Sequence, residues 1–501
     1  MKIDKRMVRS SYTIQLVLDK DTNTALKGAK KMRNYTVKIG GKLAELNEVT
    51  VSKEPFNKVF EGRQRPLSQT EKAYFVTADI SGKTEIEITV SESFENYEIR
   101  PLEYSLGDSR CGNTVKLTVD KPMQFTFEPD GFHNALHVFL NAPSEKPCGS
   151  NVICFGKGTH DVGLIWLTSG QTLYLEEGAI VYGMIYAKDA HDIKIMGRGI
   201  IDSSPYPRGN ERKADDSALY KELKKHGVDE KDMSKAHYRS ANIILYNCKN
   251  VYVEGLTFRD AMMWAFVVRN HCENIVIDNI KIVGQWRYNS DGIDICASRN
   301  IAVKNSFIRS FDDCFVARAP YLPGETEDTE NVIVKNCVMW CDWGKNLEVW
   351  CGDKPCTIRN ISFEDIYLIR VCGTGINITT WFGSERSFVE NVSYKNIYMN
   401  FDCDRHRMDM KIESTESPVY VNTHSIPTAV HIGNEKIGRS TGNQGCEEAT
   451  DYSGFNMSYT NISFENVRIN TENPRIKVAE SNDFTKVCGI HTLDCDFSIE
   501  R

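Results

Sequence analysis

One short phrase keeps returning along the second half of this chain: a polar lead, an asparagine, an aliphatic residue, period-two alternation, then Asn, Gly or Asp and a second alternating run. It reads Lys249-Asn-Val-Tyr-Val-Glu-Gly-Leu-Thr-Phe258, then Glu273-Asn-Ile-Val-Ile-Asp-Asn-Ile-Lys-Ile282 and Arg299-Asn-Ile-Ala-Val-Lys-Asn-Ser-Phe-Ile308. Glu330-Asn-Val-Ile-Val-Lys-Asn-Cys-Val-Met339 follows, and further copies start at Arg359, Glu390 and Thr460. The anchoring residues Asn250, Asn274, Asn300, Asn331, Asn360, Asn391 and Asn461 are spaced by 24, 26, 31, 29, 31 and 70 residues. A degenerate copy, with Asp192 in the asparagine position, begins at His191. Alternation marks short strands, and strand–turn units that cannot bury their own apolar face must stack on one another. The pattern predicts an all-β chain whose main body is a right-handed parallel β-helix. The asparagines then fall at a turn, where Asn tolerates left-handed backbone and can hydrogen-bond to its counterparts in adjacent coils.

The first 140 residues lack this period. Alternating runs at Tyr12-Thr-Ile-Gln-Leu-Val-Leu18, Thr84-Glu-Ile-Glu-Ile-Thr-Val90 and Thr114-Val-Lys-Leu-Thr-Val119 are separated by turn signals. They predict an antiparallel β-sandwich over residues 1–140, with the β-helix occupying 141–501. A charged, helix-favouring stretch interrupts the repeat at about 209–236 and reads either as a wall beside a site or as a solvated excursion. The long last interval places a further insertion at about 401–455.

The chain carries 61 basic and 68 acidic residues, a net charge of −7, which argues against nucleic acid as a partner. No run of 18 apolar residues is present, so no membrane span is expected. The basic N-terminus has no apolar signal core, which points to a cytoplasmic protein with reduced thiols, or a secreted one whose leader has been removed. Cys337, Cys341, Cys351 and Cys356 have spacings unlike paired zinc-binding motifs and suit a stacked core, so neither metal nor cofactor is expected.

Three aspartates carry the chemistry. Asp291 in Tyr288-Asn-Ser-Asp-Gly292 stands 21 and 22 residues before Asp312 and Asp313 in Ser310-Phe-Asp-Asp-Cys-Phe315, close to one repeat. Taken singly, Asn-Ser-Asp-Gly is a turn and Asp-Asp a solvated pair. Neighbouring coils lie about 4.8 Å apart, so one repeat sets all three carboxyls on one patch. Carboxyls so placed split their ionisation, one keeping a proton as acid while another acts as base. An inverting glycosidase needs such a pair roughly 6.5–9.5 Å apart. Adjacent residues of a regular strand face opposite ways, so Asp312 and Asp313 can share a site only if the chain bends there.

These motifs resemble glycoside hydrolase family 28, the polygalacturonase-like hydrolases, over roughly residues 150–400. The resemblance implies an inverting hydrolase of a polysaccharide or oligosaccharide, with Asp312 as general acid and Asp291 and Asp313 holding the water. It also sharpens two departures. Lys345, in Trp343-Gly-Lys-Asn-Leu-Glu-Val-Trp350, stands where the family has the histidine of Gly-His-Gly. Asn377 and Thr379 stand where it has the cations of Arg-Ile-Lys, which grip a uronate carboxylate. The case for galacturonate is thereby weakened and a neutral sugar becomes an alternative, whose hydroxyls Asn377 could bond, while Lys345 could still serve an anionic group; Asn289, Lys345 and Asn377 are the candidate polar substrate contacts. Trp343 and Trp381, two of six tryptophans between residues 264 and 381, are candidate stacking platforms. A sandwich before a β-helix is also similar to the dextranase and isopullulanase family, in architecture only. A non-catalytic carbohydrate-binding β-helix would not need converging carboxylates; a polysaccharide lyase would need a base such as Lys345.

Overall fold

In a computed structural model, the protein is described at residues 33–53, 58–59, 66–208, 217–228, 239–319, 328–351, 355–380, 386–402, 413–414, 428–437, 446–448 and 456–499. It is all-β, a right-handed parallel β-helix preceded by a two-sheet sandwich. The alternating run at residues 12–18 lies outside the described residues.

Each sandwich sheet has five strands among the described residues. Thr84–Val90 and Thr114–Val119 pair antiparallel, Thr84 opposite Val119. One pair departs from the expected pattern, because Leu136–Asn141 runs parallel to Thr70–Asp79. Val37, Ile86, Ile88, Val115 and Leu117, alternate residues of their strands, fill the core between the sheets.

From Val152 to Leu493 the strands coil, with each pairing in parallel to its counterpart one turn later. The antiparallel partner of Thr428–Ile437, Cys446–Glu448, is the exception. Three faces result. One climbs through Phe266–Arg269, Ile293–Cys296, Phe315–Arg318, Lys345–Cys351, Thr374–Thr380, Thr428–Ile437 and Arg475–Val478. The second carries the asparagine phrase, and the third runs through Lys281–Val283 and Phe307–Ser310 into Thr329–Cys341. Isoleucine, valine, leucine and cysteine from all three fill one continuous interior, Cys337, Cys341, Cys351 and Cys356 included.

All seven anchoring asparagines have φ between 54° and 58°. Each carboxamide nitrogen donates to the carboxamide oxygen one coil below, from Asn274 to Asn250 at 3.1 Å up to Asn391 to Asn360 at 3.0 Å. Asn461 bonds directly to Asn391 at 2.6 Å, so the two asparagines 70 residues apart stand on adjacent coils. Thr428–Ile437, inside the stretch read as an insertion, is a regular rung of the first face. A second ladder runs beside the first, Asn336 to Asn305 at 2.8 Å and Asn466 to Asn396 at 2.9 Å.

The sandwich packs against the third face. Val49, Phe75 and Phe139 meet Val283, Phe307, Val338 and Trp340, and Arg370 pairs with the buried Glu128 across the seam. Within the stretch 209–236, Ala218–Lys225 is an α-helix whose N-cap Ser217 accepts from the Tyr220 N–H. Its Leu219, Tyr220 and Leu223 pack on Met262 and Trp264.

Candidate active site

The three aspartates lie where strands stop. Phe307–Ser310 ends before the pair, and the next strand, Phe315–Arg318, starts after it. Asp312 and Asp313 occupy the bend between, as the demand for a shared site requires. The Ser310 hydroxyl fixes that bend by donating to the Asp312 carbonyl at 2.6 Å. Both side chains then turn the same way, since a Cβ added to Gly344 would strike Oδ1 of Asp312 and Oδ1 of Asp313 alike. Asp291 sits one coil away, just ahead of Ile293–Cys296. Gly292 N–H donates to the Asp313 carbonyl at 2.7 Å, and Asp312 N–H to the Ser290 carbonyl at 3.4 Å, which locks the two turns in register. Asp291, Asp312 and Asp313 are 1%, 1% and 3% exposed.

Four further charged residues complete the cluster. Arg318 donates from Nε to Asp294 at 2.7 Å and from Nη2 to Asp291 at 3.2 Å, and lies 3.9 Å from Asp313. Its guanidinium lies 4.5 Å from the ring centre of Trp264, which the helix Ala218–Lys225 braces, and 5.3 Å from that of Trp350. On strand Lys345–Cys351, Leu347, Val349 and Cys351 enter the core, so Glu348 and Trp350 face outward. Lys345 Nζ lies 3.0 Å from Glu348 Oε1 and 3.9 Å from Asp313 Oδ2, while its backbone N–H donates to Asp313 Oδ1 at 2.8 Å.

Register continues the polar file up the same face. Asp294, Val316, Glu348, Asn377, His431 and Lys477 occupy equivalent positions in successive coils. Asn377 donates from Nδ2 to Glu348 at 3.0 Å, and its Oδ1 accepts from His431 Nδ1 at 3.1 Å. Because an ionised Glu348 only accepts, this fixes the amide orientation and puts the proton on Nδ1 of His431.

The electrostatics follow from crowding five carboxyls around two cations. Burial, with Asp294 and Asp312 nearby, pushes the Asp291 carboxyl well above the ordinary aspartate range against the pull of Arg318. Burial and Glu348 do the same to Asp313, which Lys345 opposes. Asp294 rises to about 6, through burial that Arg318 only partly offsets. Burial would raise Glu348 too, but Lys345 and a hydrogen bond from Asp313 outweigh it and hold Glu348 below the usual range. Neighbouring carboxyls are thus pushed apart, Asp291, Asp294 and Asp313 upward and Glu348 downward, a divergence that acid–base chemistry uses.

Of the sequence candidates, Asp291, Asp312, Asp313 and Lys345 come together and Asn377 adjoins them through Glu348. Asn289, with φ 58°, forms the turn leading to Asp291 and is half-buried. Trp343 stacks parallel on Phe311 at 6.1 Å beside the bend. Trp381 lies outside the described residues. Trp340 belongs to the seam with the sandwich, under Arg309 at 3.8 Å. Sequence reasoning missed Asp294, Arg318, Glu348 and His431. Charge recurring at outward positions of otherwise apolar strands, as in Leu347-Glu348-Val349, was the available signal.

Over 147 residues the chain is 29% identical to exopolygalacturonase clone GBGE184 of Arabidopsis thaliana, covering 24% of this chain and 34% of that one. Over 137 residues it is 29% identical to the exopolygalacturonase of Cochliobolus carbonum, covering 22% and 30%. It thus spans about a third of the length of these curated relatives. Dex49A from Penicillium minioluteum shares the fold at a TM-score of 0.57 and 13% identity, covering 91% of this chain and 94% of that chain. Residues 182–488, which hold every coil of the cluster, match the profile of glycosyl hydrolases family 28, and the chain belongs to that family.

Proposed function

We propose that the enzyme is an inverting hydrolase in which Asp312 protonates the leaving oxygen while Asp291 and Asp313 hold and deprotonate the attacking water. The bend that turns Asp312 and Asp313 together against Gly344, one coil from Asp291, carries this reading. Direct displacement by water inverts the anomeric centre, since no covalent sugar–enzyme bond intervenes. The near-complete burial of the aspartates suits a pocket that takes a chain end, and the names of the exopolygalacturonase relatives support exo action.

The preferred sugar is neutral. Both cations of the cluster are committed to protein carboxylates, Arg318 to Asp294 and Asp291, and Lys345 to Glu348. Asn377 and Thr379 supply no charge to grip a uronate, and the carboxyl excess would repel one. The pairing of Lys345 with Glu348 also speaks against a lyase, whose base must be available to take a substrate proton.

Hydrolysis of dextran, pullulan, galactan and polygalacturonate, followed by reducing-sugar release, tests the substrate; preference for polygalacturonate would refute the neutral-sugar reading. Early-time NMR of the released sugar tests the mechanism, and a retained anomer would overturn it.

A further inference from the structure

We infer that Glu348 is a positioning residue that, directly and through Lys345, sets the ionisation of Asp313, forming a carboxylate–lysine clamp in place of the histidine that the matching motif leads one to expect. The inference rests on the proposed role of Asp313 as a base. Its geometry is closed at every joint. Lys345 Nζ reaches both carboxyls, 3.0 Å from Glu348 Oε1 and 3.9 Å from Asp313 Oδ2, and the two carboxyls also share a hydrogen bond directly. The lysine's own N–H pins the other oxygen of Asp313 at 2.8 Å. Glu348 is itself held from the next coil by Asn377, at 3.0 Å, and is 1% exposed.

Position and charge have separate sources in this arrangement. The backbone of Lys345 orients Asp313, and that survives any change at residue 348. Charge comes from two side chains acting oppositely: the Lys345 ammonium favours ionised Asp313, and the Glu348 carboxylate disfavours it. The other titratable or charged groups facing Asp313 are Asp312 in its own bend, Arg318 on the strand that follows and the Cys341 thiol of the next coil. These are common to wild type and to any variant at 345 or 348. A base held too acidic cannot accept a proton from water, and one held protonated cannot act at all, so the clamp balances the two.

Glu348→Gln keeps the size of the side chain and an oxygen for Lys345 and Asn377 while removing the charge. Asp313 should then ionise about one pH unit lower, because a like charge has been taken away. Carboxyl ¹³C NMR on aspartate-labelled protein reads this without substrate, the Asp313 signal being assigned by its loss in Asp313→Asn. The acid limb of kcat/KM, on whichever of dextran, pullulan, galactan or polygalacturonate the wild type cleaves fastest, should move down with it. Lys345→Gln, which removes the opposing charge, should move both upward. A Glu348→Gln titration that stays put or rises overturns the clamp. If the titration moves and the acid limb does not, the role of Asp313 as base falls instead. Loss of activity by one factor at all pH values, with no displacement of either curve, reduces Glu348 to a packing residue. Glu348→Asp, keeping the charge, should restore the wild-type limb.

Discussion

Arg318 donates from Nε to Asp294 at 2.7 Å, while its Nη2 reaches Asp291 at 3.2 Å. The planar fork ties a structural carboxylate to a candidate catalytic one across a single strand step, and two indoles limit where it can go. Lysine offers a point charge and no fork. Arg318→Lys should therefore lower kcat by about 10²-fold through misplacement of Asp291. Arg318→Met, which leaves buried carboxylates uncompensated, should cost about 3–5 kcal/mol of stability. Steady-state kinetics and thermal unfolding read the two effects separately, and a Lys variant with wild-type kcat would refute the positioning role.

The same cluster sets a pH dependence of stability. Asp294 holds its proton up to about 6, against an ordinary 3.8, so between these values the folded chain keeps a proton that the unfolded chain has released. Stability from this group is therefore lost as pH rises through that window and is level above it. Asp291 and Asp313 are displaced the same way and extend the decline upward, with Glu348 alone among the four opposing. The unfolding midpoint should be higher near about pH 5.5 than near about pH 7.5, and Asp294→Asn should flatten the lower part of the curve. A midpoint that climbs over this range would contradict the assignment.

Much of this was legible beforehand, and the reason is the repeat. Asn300 announces its own turn because left-handed backbone and ladder bonding both select asparagine, and the spacing of Asp291 from Asp312 follows the coil. Glu348 was not legible, since Leu347-Glu348-Val349 reads as any strand with one solvated residue. Only register reveals that it stands opposite Val316 and Asn377 on an enclosed face. His431 was hidden for another reason. Its rung, Thr428–Ile437, carries no asparagine phrase, because the ladder passes directly from Asn391 to Asn461. Residue type alone does not tell Trp340 from the other indoles of the stretch: it serves the seam between sandwich and coil.

Gly344 makes a sharper test of the aspartate geometry. Its Cα faces the carboxylates of Asp312 and Asp313 so closely that a methyl group would meet both, and the backbone N of Asp313 as well. Gly344→Ala must therefore displace at least one of the pair. Since a shift of about 1 Å in a reacting group costs about 10²-fold, kcat should fall by at least that much. Circular dichroism should still report β-structure, because the interior of the coil is untouched. Wild-type turnover in Gly344→Ala would mean that the two carboxylates do not act from the positions described.

Asn300 offers the converse, a residue remote from chemistry whose exposure understates its importance. Exposed substitutions of this kind normally change stability by less than about 0.5 kcal/mol. Here the backbone is left-handed at φ 58°, and the carboxamide donates to Asn274 at 3.2 Å and accepts from Asn331 at 3.0 Å. Alanine loses both bonds and strains the turn, about 0.5–1.5 kcal/mol for each bond and about 1–2 kcal/mol for the backbone. Glycine loses the bonds but adopts the turn freely. The order of urea midpoints should thus be wild type, then Asn300→Gly, then Asn300→Ala, with kcat unchanged in all three. If alanine matched wild type, the ladder would be a consequence of stacking rather than one of its supports. If glycine fell below alanine, the left-handed turn would not be what selects asparagine at this corner.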